Sequence, residues 1–298
     1  MNRNKRLFKL VDILYISMII LPIMIAMVIK ILTTPLSQGI SISGARIFFS
    51  IPFPVQDLII TEAQLNSAFV LISILGVCLF LTHGINSGNL TTRHHIAEWI
   101  VEKVQGLVDG NMGEFFKGYA PFVTAILGLS GFSSLLSLCG LFPPTSDINI
   151  VAGWAILVFI LITYYKLKGG FLNYLKGFTE PIFVMAPLNV LGEIATPVSM
   201  AFRHYGNVLS GMVIAVLISS ALQGLSSMVL SWLPGFLGEI PFLQIGIPAV
   251  LSVYFDVFSG CMQAYIFAML TMLNISGAFP QEEYEMRKKK KLLKIKNK

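Results

Sequence analysis

Charge is what this 298-residue chain has least of. Only 12% of its residues are Asp, Glu, Lys or Arg, against about 25% in ordinary soluble domains, while 55% are apolar. At a mean hydropathy of +0.77, that apolar surface exceeds what one soluble core can hide, which excludes a soluble enzyme and a disordered chain. Cysteine is scarce too. Cys78, Cys139 and Cys261 lie far apart inside apolar runs, so neither a disulfide framework nor a zinc site is available, and each is expected to act as a buried small hydrophobe. No glycine-rich loop follows a strand pattern, so there is no sign of a nucleotide site, and no cofactor is implied. The net charge of +6 does not point to nucleic acid, because eight of the 21 cations follow Glu285 instead of gathering on a folded face. The partner that composition demands is the lipid bilayer.

What the chain does have is long apolar runs. A spanning helix takes about 20 mainly apolar residues; runs at 13–29, 63–82, 118–146 and 148–165 qualify. Two longer helices are expected at about 182–230 and 243–275, parted by a turn rich in Pro and Gly from Ser231 to Pro241. The expected fold class is an all-α polytopic membrane protein with six membrane helices, the two long ones near the C-terminus being tilted. Ile96, Trp99, Ile100, Val104 and Leu107 recur at helical spacing opposite Glu98, Glu102, Lys103 and Asp109, which describes an amphipathic helix on the cytoplasmic surface. Eighteen of the 21 cations fall at the N-terminus, in 83–117, in 166–176 or after Glu285, and the positive-inside rule then puts both termini in the cytoplasm. Arg3, Lys5, Arg6 and Lys9 precede the first run as in a signal peptide. Its length, and the lack of an Ala-x-Ala-like site after it, favour a retained helix.

Arg203 is the only Lys or Arg between Lys176 and Arg287. A guanidinium at mid-bilayer depth costs about 2.5–3.5 kcal/mol and cannot escape by losing its proton. With about 20 apolar-rich residues on either side it cannot easily snorkel to the headgroups, so it marks function. At 100° per residue, Asn189, Gly192, Thr196, Ser199, Arg203, Gly206, Asn207 and Ser210 share one helix face, flanked by Glu193. The last long helix carries a second stripe of Ser252, Asp256, Ser259, Gly260, Gln263 and Asn274. Small and polar residues on one face of an apolar helix give close packing, a water-lined path, or both.

These residues resemble a known family. PLNVLGE at 187–193 and PVSMAFRHYGN at 197–207 are similar to the signature of the membrane-embedded a subunit of rotary ATP synthases. QAYIFAMLT at 263–271 resembles that family's last helix, PTSDIN at 144–149 the entry to the fourth helix here, and ITE at 60–62 the lead into its first core helix. The resemblance divides the chain into an extra N-terminal helix and outer loop (1–57), an ion-channel core (58–277) and a basic cytoplasmic tail (278–298). It implies a non-catalytic stator subunit in a bacterial cell membrane, passing H+ or Na+ through two half-channels to the carboxylates of a c-subunit ring. Its other partners would be b-type peripheral stalk subunits and, indirectly, the soluble ATPase head. Arg203 would face the rotor carboxylate, Glu193 and Asp256 would relay protons, and Asn207 and Gln263 would position water and Arg203. Met212 departs from the pattern where an ionisable residue is frequent, and Asp256 stands where His or Glu is common.

Other readings stay open at this point. His204, next to Arg203, is either a relay or a packed or lipid-side histidine, and Asp147 is either a channel-mouth group or the N-cap of the following helix. His94, His95 and Glu98 have i,i+3/i+4 spacing but too few ligands for a metal site, so a surface helix is expected there. The alternative function is a secondary transporter that holds an anionic substrate on Arg203, although the internal repeat frequent in such proteins is missing. An intramembrane enzyme built on the histidines lacks ligand spacing.

Overall fold

The structure is a computed structural model that describes residues 2–33, 44–54, 57–85, 91–179, 183–230 and 246–296. Among them, six helical stretches are long and apolar enough to cross a bilayer: Phe8–Thr33, Glu62–Thr82, Glu114–Cys139, Ile148–Lys168, Phe183–Leu230 and Val250–Gly277. The all-α polytopic reading holds. The turn expected from Ser231 to Pro241 lies outside the described residues.

Helices α1 (Asn2–Thr33) and α2 (Glu62–Thr82) pack along each other. Their approach is close because Gly76 has no side chain: a Cβ there would lie 3.0 Å from Ile19 Cγ1. Ser73 Oγ donates to the Ile19 carbonyl at 3.0 Å. Near the start of α1, Asp12 accepts from Arg93 at 2.8 Å and pairs with His83 at 2.8 Å, so one carboxylate joins α1 to the end of α2 and the start of the following helix. At its other end Lys30 donates to the Gly140 carbonyl, and Arg46 donates to the Thr33 carbonyl at 3.1 Å. The segment before α2, expected as a loop, contains more structure: β1 (Ile47–Ile51) and β2 (Leu58–Thr61) form an antiparallel hairpin. Both are rich in β-branched and aromatic residues.

Thr61 and Gln64 form a capping box that starts α2. Helix α3 (Thr92–Met112) is the amphipathic one, but its apolar residues serve two surfaces. Val104, Leu107, Val108 and Met112 pack on the core, while Ile96 and Trp99 stay exposed. A 3-10 turn at Glu114–Tyr119 leads into α4 (Ala120–Leu135), which ends in a second 3-10 turn at Leu136–Cys139. The expected third span of 118–146 is thus too long. Gly140 at φ +70° closes the helix with its N–H on the carbonyls of Leu136 and Ser137, and Pro143 and Pro144 follow.

Helix α5 (Ile148–Lys168) packs against α7 (Ala186–Leu230), with short α6 (Phe171–Thr179) between them in sequence. At 45 residues α7 runs unbroken through Pro197 and is about 67 Å long, roughly twice the hydrocarbon thickness. Such a helix fits a bilayer only at a steep tilt. The expected last long helix is interrupted: α8 (Ile247–Ser252) passes through a π-helical turn, Val253–Ser259, into α9 (Gly260–Gly277). The basic tail continues as α10 (Gln281–Lys296), and Tyr284 packs against Phe115 and Phe279.

The main core lies among α3, α4, α5 and α9, around Val108, Val123, Val158, Phe267 and Met272. The cysteines are not in it. All three are free and exposed, because an apolar run in a membrane chain marks a lipid-facing position as readily as a buried one.

Candidate functional site

The two polar stripes meet where α7 crosses α9. Asn207 Nδ2 donates to Gln263 Oε1 at 2.8 Å, and Gln263 is buried. Arg203, one turn before Asn207, is exposed and makes no hydrogen bond or ion pair with any described residue. Gly192, Ser199, Asn207 and Ser210 are exposed along the same helix. Gly192, Ser199, Arg203 and Ser210 are thus turned to the surface of the bundle, while Asn207 reaches α9.

His204 turns the other way. It is fully buried, its ring set edge-on to Trp154 and Phe267, with Nε2 3.2 Å from Ser130 Oγ and Nδ1 without a partner. Asp256 sits half-buried in the π-helical turn and likewise has no hydrogen-bond partner among the described residues. Such turns, one residue wider than α, often mark functional positions. Next to it Phe255 packs on Gly211, where an added Cβ would lie 3.1 Å from the ring.

Glu193 lies two turns along α7 and is the most engaged carboxylate of the set. Oε1 accepts from Lys166 Nζ at 2.9 Å and Oε2 from the Tyr174 hydroxyl at 3.3 Å. Burial first, and then the Glu193 carboxylate, push the Tyr174 hydroxyl above its usual pKa, so it remains a donor. A cavity of about 510 Å³ opens here, lined by Lys166, Asn173, Tyr174, Glu193, Thr196 and Glu283 among others. At the opposite end of α5, Asp147 N-caps the helix by accepting from Asn149 N at 3.0 Å, and also accepts from Thr61 Oγ1 at 3.4 Å. It borders a second cavity of about 570 Å³, with Asp57, Thr61, Gln64 and Tyr205. Tyr205 lies on α7 between Arg203 and Asn207, so this cavity reaches the helix that carries the arginine.

The structure thus joins Asn207 to Gln263, sets Arg203 outward beside them, and separates Glu193 and Asp147 into different cavities. Sequence reasoning missed Lys166, Tyr174 and Tyr205. Lys166 lies in the last turn of α5, where a cation is available to a membrane carboxylate, but no sequence pattern pairs it with Glu193. His95 pairs loosely with Glu98 at 3.7 Å on the surface while His94 is buried, and no group of three or more metal-ligating side chains occurs among the described residues.

An apolar bundle whose longest helix exposes a polar, arginine-bearing face, with a polar cavity at either end, is an integral membrane protein built around ionic chemistry. The model of the ATP synthase A chain family matches residues 65–276, and the chain belongs to that family. It is 27% identical to the sodium ion specific ATP synthase subunit a of Propionigenium modestum, across 88% of this chain and 97% of that one. It is 29% identical to ATP synthase subunit a of Priestia megaterium (74% and 94% covered) and 25% identical to that of Legionella pneumophila (78% and 92%). The family is the ion-translocating membrane subunit of bacterial ATP synthases, and the chain is a multi-pass membrane protein of that kind.

Proposed function

We propose that this chain passes H+ or Na+ through two offset half-channels to and from the carboxylates of a c-subunit ring, and so drives rotation. The observation that carries the reading is Arg203, a permanent cation exposed on α7 with no partner among the described residues. Lipid is a poor neighbour for it, at about 2.5–3.5 kcal/mol on lenient scales. A carboxylate on an adjoining chain fits. An opposite charge within about 4–6 Å favours the ionised form of such a group, so the rotor site gives up its ion when it passes Arg203. The same fixed charge blocks a direct leak between the half-channels. Gly192 and Ser199 keep this face of α7 small enough for a ring to approach closely.

The Lys166 cavity is the cytoplasmic half-channel, since the cations at 166–176 lie at this end. The Asp147 cavity is then the outer one, and both termini are cytoplasmic. Glu193 serves the inner path and Asp256 the outer one. The Asn207–Gln263 bond holds α7 and α9 in register behind Arg203, and Asp147 lines the outer mouth while capping α5. His204 offers Nδ1 to a water behind the arginine. The subunit itself neither makes nor hydrolyses ATP; b-type stalk subunits hold it against the soluble head. One relative is named as sodium ion specific, so Na+ is assayed as a cargo alongside H+.

Purifying the tagged chain in mild detergent tests the assembly. Co-elution of small c-type proteolipids and soluble ATPase subunits is the expected result. A chain that elutes alone or only with itself contradicts the reading.

A further inference from the structure

We propose that the Lys166–Glu193 ion pair is a gate between the wide vestibule of the cytoplasmic half-channel and a smaller inner chamber. The inference rests on the reading of that cavity as a half-channel. Two separate spaces adjoin the pair. The vestibule of about 510 Å³ lies on one side; on the other is a chamber of about 130 Å³ lined by Ile162, Lys166, Glu193, Thr196, Asn274 and Ala278. Lys166, Glu193, Thr196 and Ala278 border both spaces, so these residues form the partition. Thr196 and Ala278 are too short to move far. Within the partition, the 2.9 Å contact between Lys166 Nζ and Glu193 Oε1 is the closure that can open.

The Glu193 side chain is 6% exposed and that of Lys166 35%, so the lysine covers the carboxylate from the vestibule. With Tyr174 on Oε2, each oxygen of Glu193 already accepts one hydrogen bond, so an arriving cation competes with the Lys166 ammonium for the carboxylate. Lys166 is the partner able to leave, because its ammonium rides on a flexible four-carbon stem. Tyr174 is held edge-on against Phe178. Glu283 lines the same vestibule, where it accepts from Asn173 at 2.7 Å, and offers the released ammonium a second carboxylate. In the open state the chamber, with the Asn274 amide on α9, joins the vestibule.

The test is thiol accessibility in inverted membrane vesicles that carry the whole ATP synthase, with Cys78, Cys139 and Cys261 replaced by serine. A small membrane-impermeant cationic methanethiosulfonate is added from the exposed cytoplasmic face, and labelling is read by mass spectrometry. Gly177→Cys reports the vestibule, where an added Cβ meets nothing within 4 Å, and Asn274→Cys reports the chamber. With Lys166 in place, the gate predicts Asn274→Cys to react about tenfold more slowly than Gly177→Cys, the scale of one hydrogen bond to a charged group. Adding Lys166→Gln should bring the two rates together, and Lys166→Arg should keep them apart. Equal rates with Lys166 intact overturn the gate and leave the half-channel standing. A Gly177→Cys that does not react from this face overturns the half-channel reading and the gate with it. The first comparison needs no change at Lys166, so the proposal stays testable if Lys166→Gln fails to assemble.

Discussion

Asn207 Nδ2 and Gln263 Oε1 lie 2.8 Å apart and form a hydrogen bond that joins the arginine-bearing helix to the helix behind it. Gln263 is 3% exposed, so its amide has no access to bulk water. Asn207→Ala leaves that amide unsatisfied, at a cost of about 1–3 kcal/mol. The complex should still assemble, while ATP-driven ion uptake in inverted vesicles falls by about tenfold as Arg203 loses its backing. Uptake equal to the parent would mean the bond is packing only.

Asp256 has a different dependence. It has no hydrogen-bond partner among the described residues, so Asp256→Asn removes a charge without orphaning a neighbour. Stability should hold while ion transport drops by about an order of magnitude, a loss in keeping with a missing proton-transfer group. Cys261→Ala, one turn further on, should change neither. Equal transport in the two variants would reduce the second stripe to packing.

The α4–α9 contact sets a steric test. A Cβ on Gly260 would sit 2.7 Å from Ser134 Cβ, both on packed helices. Gly260→Ala should lower the thermal stability of the solubilised complex by about 1–3 kcal/mol, the usual cost of overpacking. Adding Ser134→Gly should recover most of it. Failure of that rescue would place the strain elsewhere.

The N-terminal helix α1 is fixed to the rest of the bundle through Asp12, Arg93 and His83. Asp12→Ala leaves Arg93, only 15% exposed at its side chain, without its carboxylate. Because Asp12 keeps some contact with solvent, the expected loss is about 1–3 kcal/mol, below that of a fully buried pair. Faster proteolysis between α1 and α2 in the folded complex is the readout. An unchanged digestion rate would mean the contact does not hold the helix.

The Tyr174–Glu193 bond carries a pH signature. A raised phenol pKa means the protonated donor stabilises the fold fully below the unfolded value of about 10, and this contribution is lost as pH climbs through the higher folded value. The stability cost of Tyr174→Phe should therefore be constant from about pH 6 to pH 9 and shrink only in stronger alkali. A cost that varies across neutral pH would show that another group controls the contact.

How far the sequence could be read follows from what fixes each feature. The spans were legible because bilayer thickness sets their length. The polar faces of α7 and α9 were legible because helical periodicity decides which residues align with Arg203. Contacts across helices were not. Lys166 and Glu193 are 27 residues apart, and no local pattern pairs them. Burial was the other failure: the apolar surroundings of Cys78, Cys139 and Cys261 describe lipid as well as they describe protein. The π-helical turn at Asp256 was hidden for a third reason, since one extra residue per turn leaves an apolar run apolar.

The central claim is that Arg203 acts on a charge outside this chain. Its most direct test is Arg203→Ala, assayed for ATP-driven ion pumping and ion-driven ATP synthesis in vesicles that retain the assembled complex. Arg203 has no described partner to disturb, so assembly should be normal while both coupled activities are abolished. Normal coupling in that variant would contradict the account.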